Sequence, residues 1–115
     1  MKTIYFAIVE DTEGITRRKI GQTKFLNAKD RFKDRRLYNS CKILMSIEVP
    51  THAIGHVEHQ FRDLQVGKRW KEYNIPPHFM GRTEVIKPDV SDDEVFARFE
   101  KIKDLPKQIT LKDWL

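Results

Sequence analysis

The chain has 115 residues, a formal net charge of +5 and 39% hydrophobic residues, enough for one modest core and too little for two domains. Apolar patterning runs from end to end, which excludes a disordered chain, and no apolar run nears the ~20 residues that a membrane span needs. The single cysteine, Cys41, excludes an internal disulfide and, with no signal peptide read at the N-terminus, fits a reducing cytoplasmic setting.

Taken in chain order, Thr3–Glu10 alternates, with Ile4, Phe6 and Ile8 on one face and Tyr5, Ala7 and Val9 on the other, which predicts a strand. Asp11–Gly14 is turn chemistry, and Ile15–Gly21 reads as the return strand. A turn centred near Thr12 would set Tyr5 opposite Lys19, both on one face. Leu26–Tyr38 predicts a helix, because Phe25, Ala28 and Phe32 share one narrow angular sector bordered by Arg31 and Arg35. Cys41–Pro50 reads as a third strand, with Cys41 as a packing residue. Thr51 is expected to cap a helix through about Leu64, with Ile54, Val57, Phe61 and Leu64 as its core face.

The stretch from Val66 to Arg82 is irregular, but Trp70, Tyr73 and Phe79 predict that it packs on the domain. Ser91–Glu94 is a capping box that opens a helix to about Lys103. The tail ends in Ile109, Leu111, Trp114 and Leu115, an apolar set that either docks on its own domain or forms a two-fold interface. A homodimer is the expectation. The element order implies an α+β fold, a small three-stranded antiparallel sheet flanked by helices.

Charge is unevenly placed. Arg17–Arg36 holds nine Lys or Arg and two acids, while the rest of the chain is slightly acidic. Arg17, Arg18, Lys24, Lys29, Lys33, Arg35 and Arg36 are candidates for sequence-independent phosphate contacts. The bland alternative is a solvated face. Three histidines, His52, His56 and His59, fall at i, i+4 and i+7 with Asp63 next in the row. Histidines at i, i+4 can bind zinc, but no HExxH is present and a solvated row is the simpler reading.

One set of residues stands apart. "TIY" sits in the first strand and "KIG" in the second, with a Thr two residues later. Arg31 follows ten residues beyond the glycine, and "GRTE" ends at Glu84. This combination resembles the GIY-YIG endonuclease superfamily, in particular its small phage-type branch with KIG in place of YIG, over roughly residues 1–86. The resemblance implies a nuclease domain at 1–86, with 87–115 as a C-terminal helix and tail packed on it. It also implies phosphodiester cleavage with one divalent ion. Tyr5 matches the first-motif tyrosine, Lys19 stands where many members have the second tyrosine, and Gly21 matches the motif glycine. Arg31 matches the helical arginine and Glu84 the metal-binding glutamate. Two departures are the "TIY" itself and Arg35, where many members carry His or Tyr.

The chemistry asks for such groups. A phosphodiester must have water deprotonated, phosphate charge neutralised and the leaving 3′-oxygen stabilised. A tyrosine has a pKa of ~10, and a cation such as Lys19 beside it favours phenolate. Arg31 offers a planar fork for phosphate oxygens, and Glu84 is a hard oxygen ligand for Mg²⁺ or Mn²⁺. Singly, each has an ordinary reading: a strand tyrosine, a solvated lysine, a surface ion pair, a turn cap. Jointly they predict a metal-dependent endonuclease acting on DNA, with RNA an equally addressable phosphodiester. The alternative is a catalytically silent module of the same fold that binds nucleic acid or a protein partner. A zinc-binding adaptor using the histidine row is a third class.

Overall fold

A computed structural model describes residues 1–24, 38–79 and 81–103. The predicted helix of residues 26–38 therefore lies outside the described residues, except that Tyr38 opens a strand. So do Arg31, Lys29, Lys33, Arg35 and Arg36, and the whole tail on which the homodimer expectation rested.

Three antiparallel strands form one sheet: β1 (Lys2–Asp11), β2 (Thr16–Thr23) and β3 (Tyr38–Val49), in the order β2-β1-β3. Alternation in β1 puts its two side-chain sets on opposite faces, and both are covered. Ile4 and Phe6 join one buried cluster; Tyr5, Ala7 and Val9 join another. A strand apolar on both faces belongs at the centre of its sheet, which is where β1 lies.

The turn fixes the register. Asp11 Oδ1 accepts hydrogen bonds from the backbone N–H groups of Glu13 and Ile15, both at 3.0 Å. Gly14 supplies the left-handed residue, with φ +82°. This centres the turn on Glu13 rather than Thr12. Tyr5 consequently pairs with Gly21, and Lys19 pairs with Ala7. The expected Tyr5–Lys19 pairing is thus corrected by two residues. A shift of two keeps the face, so Tyr5, Lys19 and Gly21 still point to one side of the sheet.

On the Phe6 face sit α1 (Ile54–His59) and α2 (Asp92–Ile102). Val57, Phe61 and Leu64 are buried there and Ile54 packs against them, as the periodicity predicts; α2 adds Val95, Phe99 and Ile102. Each such side chain contributes roughly 1.5–3 kcal/mol relative to exposure. The helix predicted from Thr51 to about Leu64 is broken into an α segment between 3₁₀ turns at Thr51–Ala53 and Arg62–Leu64. Thr51 does not cap it; Pro50 holds that position, with no side-chain bond. At α2 the capping box is partly realised, with Ser91 Oγ accepting from Glu94 N–H at 3.1 Å. Arg98 of α2 forks onto Asp63 at 2.7 and 2.9 Å, tying α2 to the end of the preceding segment. That fork holds the Asp63 carboxyl below its usual range.

On the Tyr5 face, the irregular stretch after Leu64 folds over the sheet. Val66, Ile75, Phe79 and Val85 are buried in it, and Trp70, Tyr73 and Cys41 pack alongside. Its return leg runs along the open edge of β2. Val85 bridges Lys19, the Ile86 N–H donates to the Arg18 carbonyl at 2.8 Å, and the Val66 N–H donates to the Val85 carbonyl at 2.8 Å. Among the described residues, no helix is long and apolar enough to cross a membrane.

Candidate active site

That edge pairing explains how residues far apart in sequence meet. Bridging Val85 to Lys19 delivers Glu84, at the end of the 3₁₀ turn Arg82–Glu84, beside the Lys19 ammonium. Lys19 Nζ lies 3.3 Å from Glu84 Oε2; Lys19 is 2% exposed and Glu84 35%. The same Nζ is 5.8 Å from the centroid of the Tyr5 ring, within cation–π range. Tyr5 itself is buried, its ring packed in the cluster beneath.

Two glycines leave the space in which these groups meet. A Cβ on Gly21 would stand 2.7 Å from Tyr5 Oη and 2.9 Å from Glu84 Oε2, so the hydroxyl and the carboxylate converge over one backbone position. A Cβ on Gly81 would stand 2.6 Å from both Glu84 Oε2 and Lys19 Nζ, and Gly81 also holds φ +76°. Only glycine accommodates both demands there. Gln65 completes the setting: its Nε2 donates to the Ile20 carbonyl at 3.1 Å and to the Glu84 carbonyl at 3.4 Å. It stitches the backbone of Glu84 to β2.

Glu84 opens onto a cavity of about 430 Å³ that is also lined by Glu58, Arg62, Gln65, Lys68 and Thr83. Burial pushes the Glu58 carboxyl up from its usual range, and the nearby Glu84 carboxylate pushes it further. Two carboxylates thus face one cavity, with Arg62 and Lys68 at its wall. Among the described residues no group of three or more His, Cys, Asp or Glu could hold a metal ion. The histidine row is exposed at His52, His56 and His59.

The Glu58 shift has a testable sign. Its folded pKa lies above the unfolded value of 4.5, so folding penalises the ionised form. Stability should fall as pH rises from there through the raised value. Glu58→Gln is expected to melt higher than wild type at neutral pH and to lose that part of the pH dependence, measured by thermal denaturation across pH. Equal melting at neutral pH would refute the penalty that burial and the Glu84 carboxylate place on ionised Glu58.

The sequence-derived candidates divide three ways. Tyr5, Lys19, Gly21 and Glu84 come together. Arg31 is outside the described residues, as are Lys29, Lys33, Arg35 and Arg36. Of the basic stretch that remains, Lys24 is exposed, but Arg17 and Arg18 are engaged by the protein. Arg17 Nε sits 3.5 Å from Asp11 Oδ2, a close ion pair rather than a hydrogen bond, and its Nη2 donates to the Asn74 carbonyl at 3.4 Å. Arg18 donates to Asp92 at 2.8 Å and to the Lys87 carbonyl at 3.0 Å. Gln65, Gly81 and the cavity position of Glu58 are features that sequence reasoning did not assign.

In comparisons with known proteins, no family model, no curated protein and no solved structure matches this chain.

Proposed function

We propose that the protein is a divalent-metal-dependent endonuclease that hydrolyses phosphodiester bonds in DNA. The observation that carries this reading is the convergence of the Tyr5 hydroxyl, the Lys19 ammonium and the Glu84 carboxylate over Gly21 and Gly81. Three separate segments supply a potential base, a cation to tune it and a hard oxygen ligand.

The donor set fits Mg²⁺ or Mn²⁺, which favour carboxylate oxygen and keep several waters. Glu84 would hold the ion: Lys19 engages Oε2 and leaves Oε1. A cation there would also relieve the repulsion between Glu84 and Glu58. When bound, such an ion supplies Lewis-acid stabilisation of charge on the phosphate and leaving oxygens.

In this reading Tyr5, as phenolate, takes a proton from the water that attacks phosphorus, and the bond from phosphorus to the 3′-oxygen breaks. Lys19 beside the ring favours the phenolate. Packing on all sides keeps the Tyr5 ring from turning away. Arg31 is assigned to the phosphate from the sequence resemblance, and Lys24 with its neighbours in the basic stretch to the flanking backbone.

Incubating supercoiled plasmid with the protein and Mg²⁺ or Mn²⁺ tests the proposal. Open circles are expected with metal and none with chelator. One specific observation favours a second reading, a silent module: the 3.3 Å Lys19–Glu84 pair already satisfies part of the carboxylate. Plasmid that is bound but stays uncut with either metal would select that reading.

A further inference from the structure

The covering stretch carries a feature that the proposed chemistry does not use. Between Gly67 and Arg82 lie four cations, Lys68, Arg69, Lys71 and Arg82, against one acid, Glu72. Arg69 is committed, 2.6 Å from Glu72 and 5.8 Å from the Tyr73 ring centroid. Lys71 and Arg82 are not: neither pairs with a carboxylate among the described residues, and both are exposed. They gather instead on Trp70. The Arg82 guanidinium carbon is 4.8 Å from its ring centroid and Lys71 Nζ is 5.4 Å from it. Arg82 Nη1 also donates to the Pro77 carbonyl at 3.2 Å, which anchors that end of the side chain. Trp70 is half-buried, packed against the cluster that holds Tyr5.

This patch adjoins the candidate site. Arg82 opens the 3₁₀ turn that ends at Glu84, and Lys68 lines the cavity with Glu84. A purely cationic patch would suit any phosphate. An indole with an exposed guanidinium against it adds a flat π surface, which a base can use only when its face is not hidden in a duplex stack.

We propose that Trp70, Lys71 and Arg82, with Lys68 at the cavity wall, bind an unpaired stretch of nucleic acid next to the cleaved bond. Lys68 and Lys71 contact phosphates, and a base stacks on the Trp70–Arg82 platform. The inference rests on the phosphodiester-cleavage reading and narrows its substrates to those with a single-stranded flank, such as flaps, forks or gaps.

Binding tests it without catalysis. Trp114→Phe leaves Trp70 as the only indole, since the chain has two tryptophans. Oligothymidylate and a blunt duplex are titrated in chelator while Trp70 fluorescence is followed. Saturable quenching by oligothymidylate is expected. In Lys71→Gln/Arg82→Gln, with both substitutions at exposed residues and melting temperature measured alongside, single-strand affinity should fall about tenfold or more, with a clearly smaller loss on the duplex. Absent quenching, equal loss on both ligands, or equal quenching by heparin would overturn the proposal. If plasmid is not nicked but oligothymidylate behaves as expected, the nuclease reading falls and the surface stands. If plasmid is nicked and oligothymidylate leaves Trp70 unmoved, the surface falls alone.

Discussion

Glu84→Gln is expected to remove metal-dependent nicking, by on the order of 10²–10³-fold or more. A bound ion stabilises transition-state charge by several kcal/mol, and each 1.36 kcal/mol is about tenfold in rate. The amide is a poor ligand for a hard divalent ion, so the loss is direct. The choice of Gln over Ala matters because Glu84 also partners Lys19. Its Oε2 lies 3.3 Å from a Lys19 ammonium that is almost completely buried, and stripping the partner from a buried charge is costly. The amide oxygen still accepts from Nζ and spares part of that cost, although Glu84's own exposure to water softens the effect. Glu84→Ala should therefore melt lower than Glu84→Gln, while both are inactive. Lys19→Met in the Ala background should recover some of the melting temperature and none of the activity. Nicking rates with Mg²⁺ and calorimetric melting decide this. Wild-type nicking by Glu84→Gln would take the metal away from that residue.

The same residues show how far the sequence could be read. Alternation in Thr3–Glu10 placed Tyr5 on the face opposite Phe6, and parity put Lys19 beside it, because side chains repeat every two residues in a strand. Register needs more than parity. It depended on the Asp11 carboxylate bonding two backbone amides and on Gly14 taking a positive φ, details of a turn that composition marks but does not count. The Val57–Phe61–Leu64 core face was legible from its spacing, whereas the break of that helix into 3₁₀ turns was not, since tertiary packing sets where the hydrogen bonding tightens.

Glu84 was visible only as part of a motif. What brings it to Lys19 is the pairing of Val85 and Ile86 along the β2 edge, sixty-odd residues downstream in the chain, a long-range contact that no local pattern encodes. Arg17 and Arg18 show the converse. Counted as charge they belonged to a phosphate-binding stretch; placed in space their guanidinium groups meet Asp11 and Asp92. A lysine or arginine is most available to phosphate where the fold leaves its charge unmatched, and formal charge cannot report that.

Gly21→Ala is expected to lower the nicking rate of the folded protein by about 10²-fold or more and to lower the melting temperature as well, because the methyl crowds a buried ring. Gly21 lies inside β2 and has no positive φ, so alanine brings no backbone strain. Its whole effect comes from one methyl group placed 2.7 Å from Tyr5 Oη, 3.0 Å from Tyr5 Cζ and 2.9 Å from Glu84 Oε2. No real Cβ sits that close, so something must move. Tyr5 is 1% exposed and locked in its cluster, whereas Glu84 is partly in solvent and has rotamers to spare. The carboxylate swings away from both the hydroxyl and the Lys19 ammonium, but that relieves only its own 2.9 Å contact; against the locked Tyr5 ring the β2 backbone must also give, and a misplacement near 1 Å can cost on the order of 10² in rate. Gly14→Ala is the control of opposite character. Its φ of +82° makes alanine strained, yet its Cβ meets only Glu10 Oε1 at 3.9 Å, in the hairpin turn. That variant should lose roughly 1 kcal/mol of stability and keep its nicking rate. Rates normalised to folded protein, with melting temperatures alongside, separate the two. If Gly21→Ala nicks as fast as Gly14→Ala, the crowding of Tyr5 and Glu84 over Gly21 has no part in the reaction.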